Sequence, residues 1–302
     1  MKTIGFVHSG SAKSFVRQFA AIDTGLAVLG LNKESDYTIL SRWADDDAKH
    51  LRDYIREMVE NDRVDVIIAA GGPAPALVAK EETAKQVVKK PVVFTTVADP
   101  VGNGLVGDNL TGMAGKTSER DDDRLTLLSE LLSGKADQTQ KKLMVFFKKG
   151  RPNLGPHKNH LKNVAAGLRM DFSDNEIEDD GGLDNAFATS LNNADALLVT
   201  ADAYFNNRRE KIVKRAAQAK VPAIYQWREF VEIGGLMSYG PSILEAYVFA
   251  GAYAARILKG EKPANIPVSE PTHYELVINQ TTAASLGIEI PTSLKDRAEL
   301  ID

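Results

Sequence analysis

The sequence predicts an α/β protein: two doubly wound parallel-sheet lobes joined by a multi-crossover hinge. Three observations carry this. Short β-branched runs alternate with amphipathic helical stretches, the pattern of βαβ units around a parallel sheet. Two such sets, similar in size, follow one another along the chain. A long helix and a further strand then remain, so the chain crosses between lobes more than once. Crossing segments gathered at one edge form a hinge, and hinged lobes can close around a ligand.

In the first set, residues 3–8 read as strand and 14–29 as helix ending at Gly30. Residues 37–43 are a second strand, and 46–61 a helix whose first turn is acidic, as suits the positive end of a helix dipole. Residues 64–69 form a third strand, followed by a Gly71-Gly72-Pro73 turn and a helix over 74–88. A fourth strand covers 92–97. In the second set, 125–132 is helical, 142–147 a strand, 157–168 a helix and 176–178 a weak strand. Helix 183–192, strand 196–200, helix 208–220 and strand 223–226 follow. The tail adds a short strand at 235–239, a long helix at 242–258 and a strand at 274–278. The run Glu119-Arg120-Asp121-Asp122-Asp123 reads as a solvated helix start near the lobe boundary.

With 302 residues, the chain is long enough for two hydrophobic cores. Its 43% apolar and 26% charged residues are ordinary for a globular protein. A net charge of −4, with basic residues dispersed, argues against nucleic acid or an anionic membrane as partner. Cysteine is absent, which excludes thiol catalysis, a cysteine zinc site and disulfides. The most apolar helix contains Glu245 and Arg256 and is too short to span a bilayer. Residues 1–7 run directly into a strand, without the basic and apolar regions of a signal peptide. Either the protein stays inside, or a leader has been removed.

Ligands of open α/β sheets sit beyond the carboxyl ends of the strands, where loops lead into helices. The loops so placed are His8-Ser9-Gly10-Ser11, Gly71-Gly72-Pro73-Ala74 and Thr95-Thr96-Val97-Ala98-Asp99-Pro100. In the second half they are Arg151-Pro152-Asn153, Asp202-Ala203-Tyr204-Phe205-Asn206 and Tyr225-Gln226-Trp227. Ser9, Gly10 and Ser11 offer hydroxyls and free N–H groups to an anion, or equally cap the helix they precede. Asp202 pairs with a ligand ammonium or starts the next helix. Tyr204, Phe205, Tyr225, Trp227 and Tyr239 bring aromatic faces near the same strand ends, as apolar pockets use them, although such residues also fill cores.

Enzyme signatures are missing. No Gly-Lys-Ser completes a phosphate loop, and Gly71-Gly72 does not extend to a dinucleotide fingerprint, so no cofactor is expected. The five histidines are scattered, and His157 and His160 have no carboxylate flanking them in sequence, so no metal is expected. No Gly-x-Ser-x-Gly elbow exists, and nothing pairs a nucleophile with a base. The expectation is a binder without catalysis.

From residue 194 onward the chain resembles a known family. Ala194-Asp195-Ala196-Leu197-Leu198-Val199, Phe205-Asn206-Asn207-Arg208-Arg209 and Gly234-Gly235-Leu236-Met237-Ser238-Tyr239-Gly240 carry the likeness. Asp99-Pro100-Val101-Gly102 and Asn109-Leu110-Thr111-Gly112 extend it to the first half. These runs are similar to ABC-transporter substrate-binding proteins of the type I periplasmic-binding fold, in the branch whose described ligands are amino acids, aromatic ones included. The resemblance implies lobes joined by three crossovers, expected at 1–114 plus 236–262 and at 115–235 plus 263–302. It also implies ligand capture by hinge closure, a membrane permease as partner, and a periplasmic or lipid-anchored location. A monomer is expected. The loop at 148–153 is more basic than its counterparts in the family, and Arg151 there suits a carboxylate through bidentate hydrogen bonds.

The expected ligand is an amino-acid-like or aromatic carboxylate. Ser9, Gly10, Ser11, Gly72 and Ala74 would hold its polar groups from the first lobe. Thr95, Thr96, Arg151, Asn153 and Asp202 would complete the polar set, while Tyr204 and Tyr225 stack. The alternative is a cytoplasmic ligand-sensing module of the same fold.

Overall fold

A computed structural model describes residues 1–133, 140–151 and 153–302. The chain forms two compact units: Met1–Lys116 with Ser242–Thr272, and Thr117–Pro241 with His273–Asp302. Along the chain the first elements are β1 (Lys2–His8), α1 (Val16–Val28), β2 (Tyr37–Trp43), α2 (Ala48–Glu60), β3 (Val66–Ala70), α3 (Pro73–Thr83), β4 (Val92–Val97) and β5 (Leu110–Ala114). Next come α4 (Asp121–Leu132), β6 (Lys141–Lys148), α5 (Leu154–Gly167), β7 (Met170–Ile177), α6 (Asp180–Thr189) and β8 (Ala196–Val199). Then follow α7 (Ala203–Asn207), α8 (Arg209–Ala219), β9 (Ala223–Tyr225), α9 (Arg228–Val231), β10 (Met237–Pro241) and α10 (Ile243–Leu258). The tail holds β11 (Tyr274–Asn279), α11 (Gln280–Ser285), α12 (Thr292–Lys295) and β12 (Glu299–Ile301).

The first unit is built on a parallel sheet in the order β2-β1-β3-β4-β5. All of β3 is buried, because helices cover both faces of such a sheet and no side is left for water. On one face Leu51, Ile55 and Met58 of α2 and Ala76 and Ala79 of α3 pack against Val7, Ile67 and Phe94. On the other, α10 lies against α1 at very close range. A Cβ added to Gly25 would stand 1.9 Å from the carbonyl oxygen of Val248, and one added to Gly251 would stand 2.1 Å from that of Ile22.

The second unit has a larger sheet, in the order β12-β11-β10-β9-β8-β6-β7. Its strands are parallel except for the β10–β11 pair. Leu125, Leu128 and Leu131 of α4 and Leu161 and Ala165 of α5 bury one face of this sheet against Leu143, Val145, Leu198 and Ile224.

Several expectations change. Helix 74–88 stops at Thr83, whose hydroxyl donates to the Ala79 carbonyl at 2.7 Å, and the apolar Val87 and Val88 that seemed to extend it are exposed. The weak strand at 176–178 is the end of an eight-residue edge strand, β7, hidden by its polar Asp171, Ser173, Asp174, Asn175 and Glu176. Strands β5 and β12 were not expected, since LTGMA and ELI carry little β-branched signal. Residues 237–241 pair with β9 and β11 and so lie in the second unit, whereas 263–272 lie in the first, joined to β5 by the Met113–Ser269 bridge. The acidic run at 119–123 is not wholly solvated. Asp121 is buried against the equally buried guanidinium of Arg124. Among the described residues, no helix is long and apolar enough to cross a membrane.

Candidate functional site

Each unit presents candidate ligand loops at the carboxyl edge of its own sheet. In the first, strand order reverses at β1, whose neighbours are β2 and β3. A crevice opens at such a switch point, because the connections on either side leave in opposite directions. The loops after β1 and β3 flank it; Ser9, Gly10, Ser11 and Gly72 lie on them, and Ala74 lies in the first turn of α3. The Gly71-Gly72 turn has φ of 94° and 101°, a conformation glycine reaches without steric penalty. The Ser9 hydroxyl donates to the Gly71 carbonyl at 2.8 Å, and the Gly71 N–H donates to the hydroxyl of buried Thr95 at 3.3 Å. Ser11 caps the short 3-10 turn Ala12–Phe15 by accepting from Ser14 N–H. These hydroxyls therefore fix the loops. Thr96 has φ of 51° beside a register break in the β4–β5 pair, a strained setting of the kind that gathers at functional sites.

His8 underlies this edge. Its Nδ1 accepts from Gly10 N–H at 2.7 Å, so Nε2 carries the proton toward the Tyr247 hydroxyl, also 2.7 Å away. Phe15 and Trp43 stand over the ring, with centroids at 4.0 and 5.1 Å. Burial lowers the His8 pKa from the usual 6.5 to about 3. In that interval the unfolded chain binds a proton that the folded unit excludes. Stability of the first unit should then fall on acidification, by at most roughly 1.4 kcal/mol per pH unit. Urea midpoints taken from pH 7 down to 4 should decline more steeply for the wild type than for His8→Gln. Equal slopes would remove His8 as the cause.

The second unit repeats the topology. Strand order reverses at β6, between β7 and β8. Arg151 and Asn153 follow β6, and Asp202 and Tyr204 follow β8; Pro152 lies outside the described residues. Arg151 Nη1 donates to the Ala201 carbonyl at 3.4 Å, tying the two loops. Asn153 is exposed and left-handed, with φ of 57°. The Asp202 carboxylate caps α7 by accepting from Tyr204 N–H at 2.9 Å. The Tyr204 hydroxyl donates to Asp180 at 2.9 Å, and the Arg208 guanidinium lies 3.8 Å from the ring centroid. Burial, aided by Asp180, raises the Tyr204 pKa. Tyr225, expected to stack on a ligand, is buried with its ring stacked on Phe230 at 4.6 Å. That aromatic face serves the interior of the unit.

Gln226 and Ser238, which sequence reasoning gave no role, stand out here beside Trp227. Gln226 and Trp227, after β9, and Ser238, on β10, are buried. The Gln226 oxygen and nitrogen, Trp227 Nε1 and Ser238 Oγ have no hydrogen-bond partner among the described residues. The same holds for Oδ1 of buried Asn206. Native interiors pair nearly all such atoms, so groups left in this state at the carboxyl edge of the sheet are candidates for ligand contact. The sequence signal was the loop Tyr225-Gln226-Trp227 itself, from which the aromatic residue drew attention.

Behind this edge Arg124 donates to the carbonyls of Tyr239 and Thr117, each at 2.7 Å, and pairs with Asp121. His157, from the first turn of α5, sits 3.0 Å from the other Asp121 oxygen. His160 meets Asp122 at 2.7 Å. The carboxylates missing beside these histidines in sequence come from α4 instead.

The sequence profile described as ABC transporter substrate binding protein matches residues 6–301. The chain belongs to this family. Its members are substrate-binding proteins and not enzymes. A tyrosine-binding protein of Clostridioides difficile (strain R20291) is 25% identical over 235 residues, covering 76% of this chain. The match spans only 65% of that relative's length. Among solved structures, a conserved domain protein from Vibrio cholerae superposes with a TM-score of 0.84 at 23% identity, covering 100% of this chain and 99% of that one. A Streptococcus pneumoniae ABC domain in complex with L-Trp gives 0.84 at 22% identity and the same coverage. The fold of this substrate-binding family member is that of the type I periplasmic binding proteins.

Proposed function

We propose that the chain is the solute receptor of an ABC importer and that its ligand is an aromatic amino acid. The observation that carries this is the family match, together with relatives named for tyrosine binding and solved with L-Trp. The two edges support the reading: each has a topological switch point, and the second holds buried polar groups without a hydrogen-bond partner among the described residues. In this reading the units are the two lobes, and hinge closure brings Ser9, Gly10, Ser11, Gly72, Ala74, Thr95 and Thr96 of one toward Arg151, Asn153, Asp202 and Tyr204 of the other. Tyr225 shapes the second half-site from beneath. A membrane permease receives the solute outside the cytoplasm, and the receptor acts as a monomer.

A thermal-shift panel tests the solute class. A ligand at 100 times its dissociation constant stabilises the folded state by about 2.7 kcal/mol. L-tyrosine or L-tryptophan should raise the melting midpoint by several degrees, and glucose or adenine should leave it unchanged. A shift with a sugar or nucleobase alone, and none with any amino acid, would overturn the assignment.

A further inference from the structure

Gln226 follows the last residue of β9 and has no exposed surface. Its carboxamide brings two N–H donors and a carbonyl acceptor, and neither the nitrogen nor the oxygen meets a partner among the described residues. A buried amide in that state carries a desolvation cost that no protein group among the described residues offsets. Its backbone, by contrast, is packed closely against β10. A Cβ on Gly240 would fall 2.0 Å from the Gln226 carbonyl oxygen, so glycine lets β10 pass directly against it. The closely packed main chain and the unengaged side chain together describe a group positioned in advance for a ligand.

The charged groups on the loops at this sheet's carboxyl edge narrow what that ligand carries. Arg124 is matched by Asp121, Lys149 by Glu178 and Arg208 by Asp180, while Arg151 reaches the Ala201 carbonyl. The Asp202 carboxylate caps α7. Gln226 thus adds a neutral group, donor and acceptor at once, to an edge whose charges are already engaged. Its complement is a head group with both an acceptor and a donor and no net charge. A lone carboxylate or a lone ammonium would satisfy only half of the carboxamide.

We infer that Gln226 is a specificity-determining residue of the second unit, donating N–H to the ligand's carboxylate and accepting from its ammonium. The inference rests on the solute-receptor reading above and selects the zwitterionic α-amino acid over its carboxylate-only or amine-only relatives.

Calorimetric titrations with L-tryptophan, indole-3-propionate and tryptamine test it on the wild type, Gln226→Leu and Gln226→Glu. The wild type should prefer L-tryptophan to both truncated analogues. In Gln226→Leu, affinity for L-tryptophan should fall roughly 10- to 100-fold, the loss expected for hydrogen bonds to charged groups. The analogues should change far less, and the preference should collapse. Gln226→Glu keeps an acceptor, loses the donors and should turn the preference toward tryptamine. The melting midpoint of ligand-free Gln226→Leu should match or exceed that of the wild type, because a buried unpaired amide is removed. Unchanged L-tryptophan binding by Gln226→Leu, or a midpoint several degrees lower, would overturn the inference. If the wild type binds none of the probes, the amino-acid reading fails on its own account. The midpoint of Gln226→Leu then decides Gln226 separately: a lower value makes it structural, and an equal or higher one keeps it facing a ligand.

Discussion

Replacing Arg124 with leucine is expected to destabilise the second unit by roughly 3–5 kcal/mol, the range for stranding one partner of a buried ion pair. Arg124 and Asp121 are both without exposed surface. The guanidinium also binds the Tyr239 carbonyl on β10 and the Thr117 carbonyl at the start of the unit. Leucine fills part of the volume but leaves the Asp121 charge and two carbonyls without those donors. Lysine is no substitute, since one ammonium cannot reproduce a planar fork reaching in three directions. Urea denaturation followed by circular dichroism gives the loss directly. The double variant Arg124→Leu/Asp121→Leu should recover a large part of it, because the stranded charge is then gone. A single variant as stable as the wild type would show that the pair is not the anchor described.

Alanine at Gly25 should cost the first unit roughly 3 kcal/mol, the upper end for overpacking. Two effects oppose each other. Alanine favours a helix over glycine by about 1 kcal/mol. The new methyl, however, would lie 1.9 Å from the Val248 carbonyl oxygen, which is backbone and cannot rotate away. Helices α1 and α10 must separate, and the contacts of the whole crossing weaken with them. Gly251→Ala meets the Ile22 carbonyl from the other side, and the two changes should not add, since a single separation relieves both. Gly167→Ala on α5, with nothing within 4 Å of its added methyl, supplies the control and should be neutral or slightly stabilising. A Gly25→Ala protein that melts like the control would mean the helices are not in backbone contact.

The α/β architecture was legible because β1, β3 and β4 contain short apolar runs closed by turn residues, a pattern that local sequence records. Strands β5 and β12 were not, because they exist by pairing with neighbours already in place and not by their own propensity. β10 was legible as a strand, but its unit was not. Its place in the second unit is fixed by β9 and β11, and nothing in Met237–Pro241 announces that. The loops of the candidate site could be listed from strand ends alone. Their chemistry could not. Ser9, Ser11, Thr95 and Asp202 hold backbone together in the structure, and the hydrogen bonds that show this link residues as far apart as 62 positions. Gln226 and Arg124 stayed hidden for a related reason. A glutamine after a strand and an arginine behind three aspartates look solvated until packing removes the water.

The most direct test of the receptor assignment is isothermal titration of the purified protein with L-tyrosine and L-tryptophan. Saturable one-to-one binding is expected with at least one of them, with a negative heat-capacity change as the aromatic surface leaves water. Saturable binding of neither, in a protein shown to be folded, would contradict it.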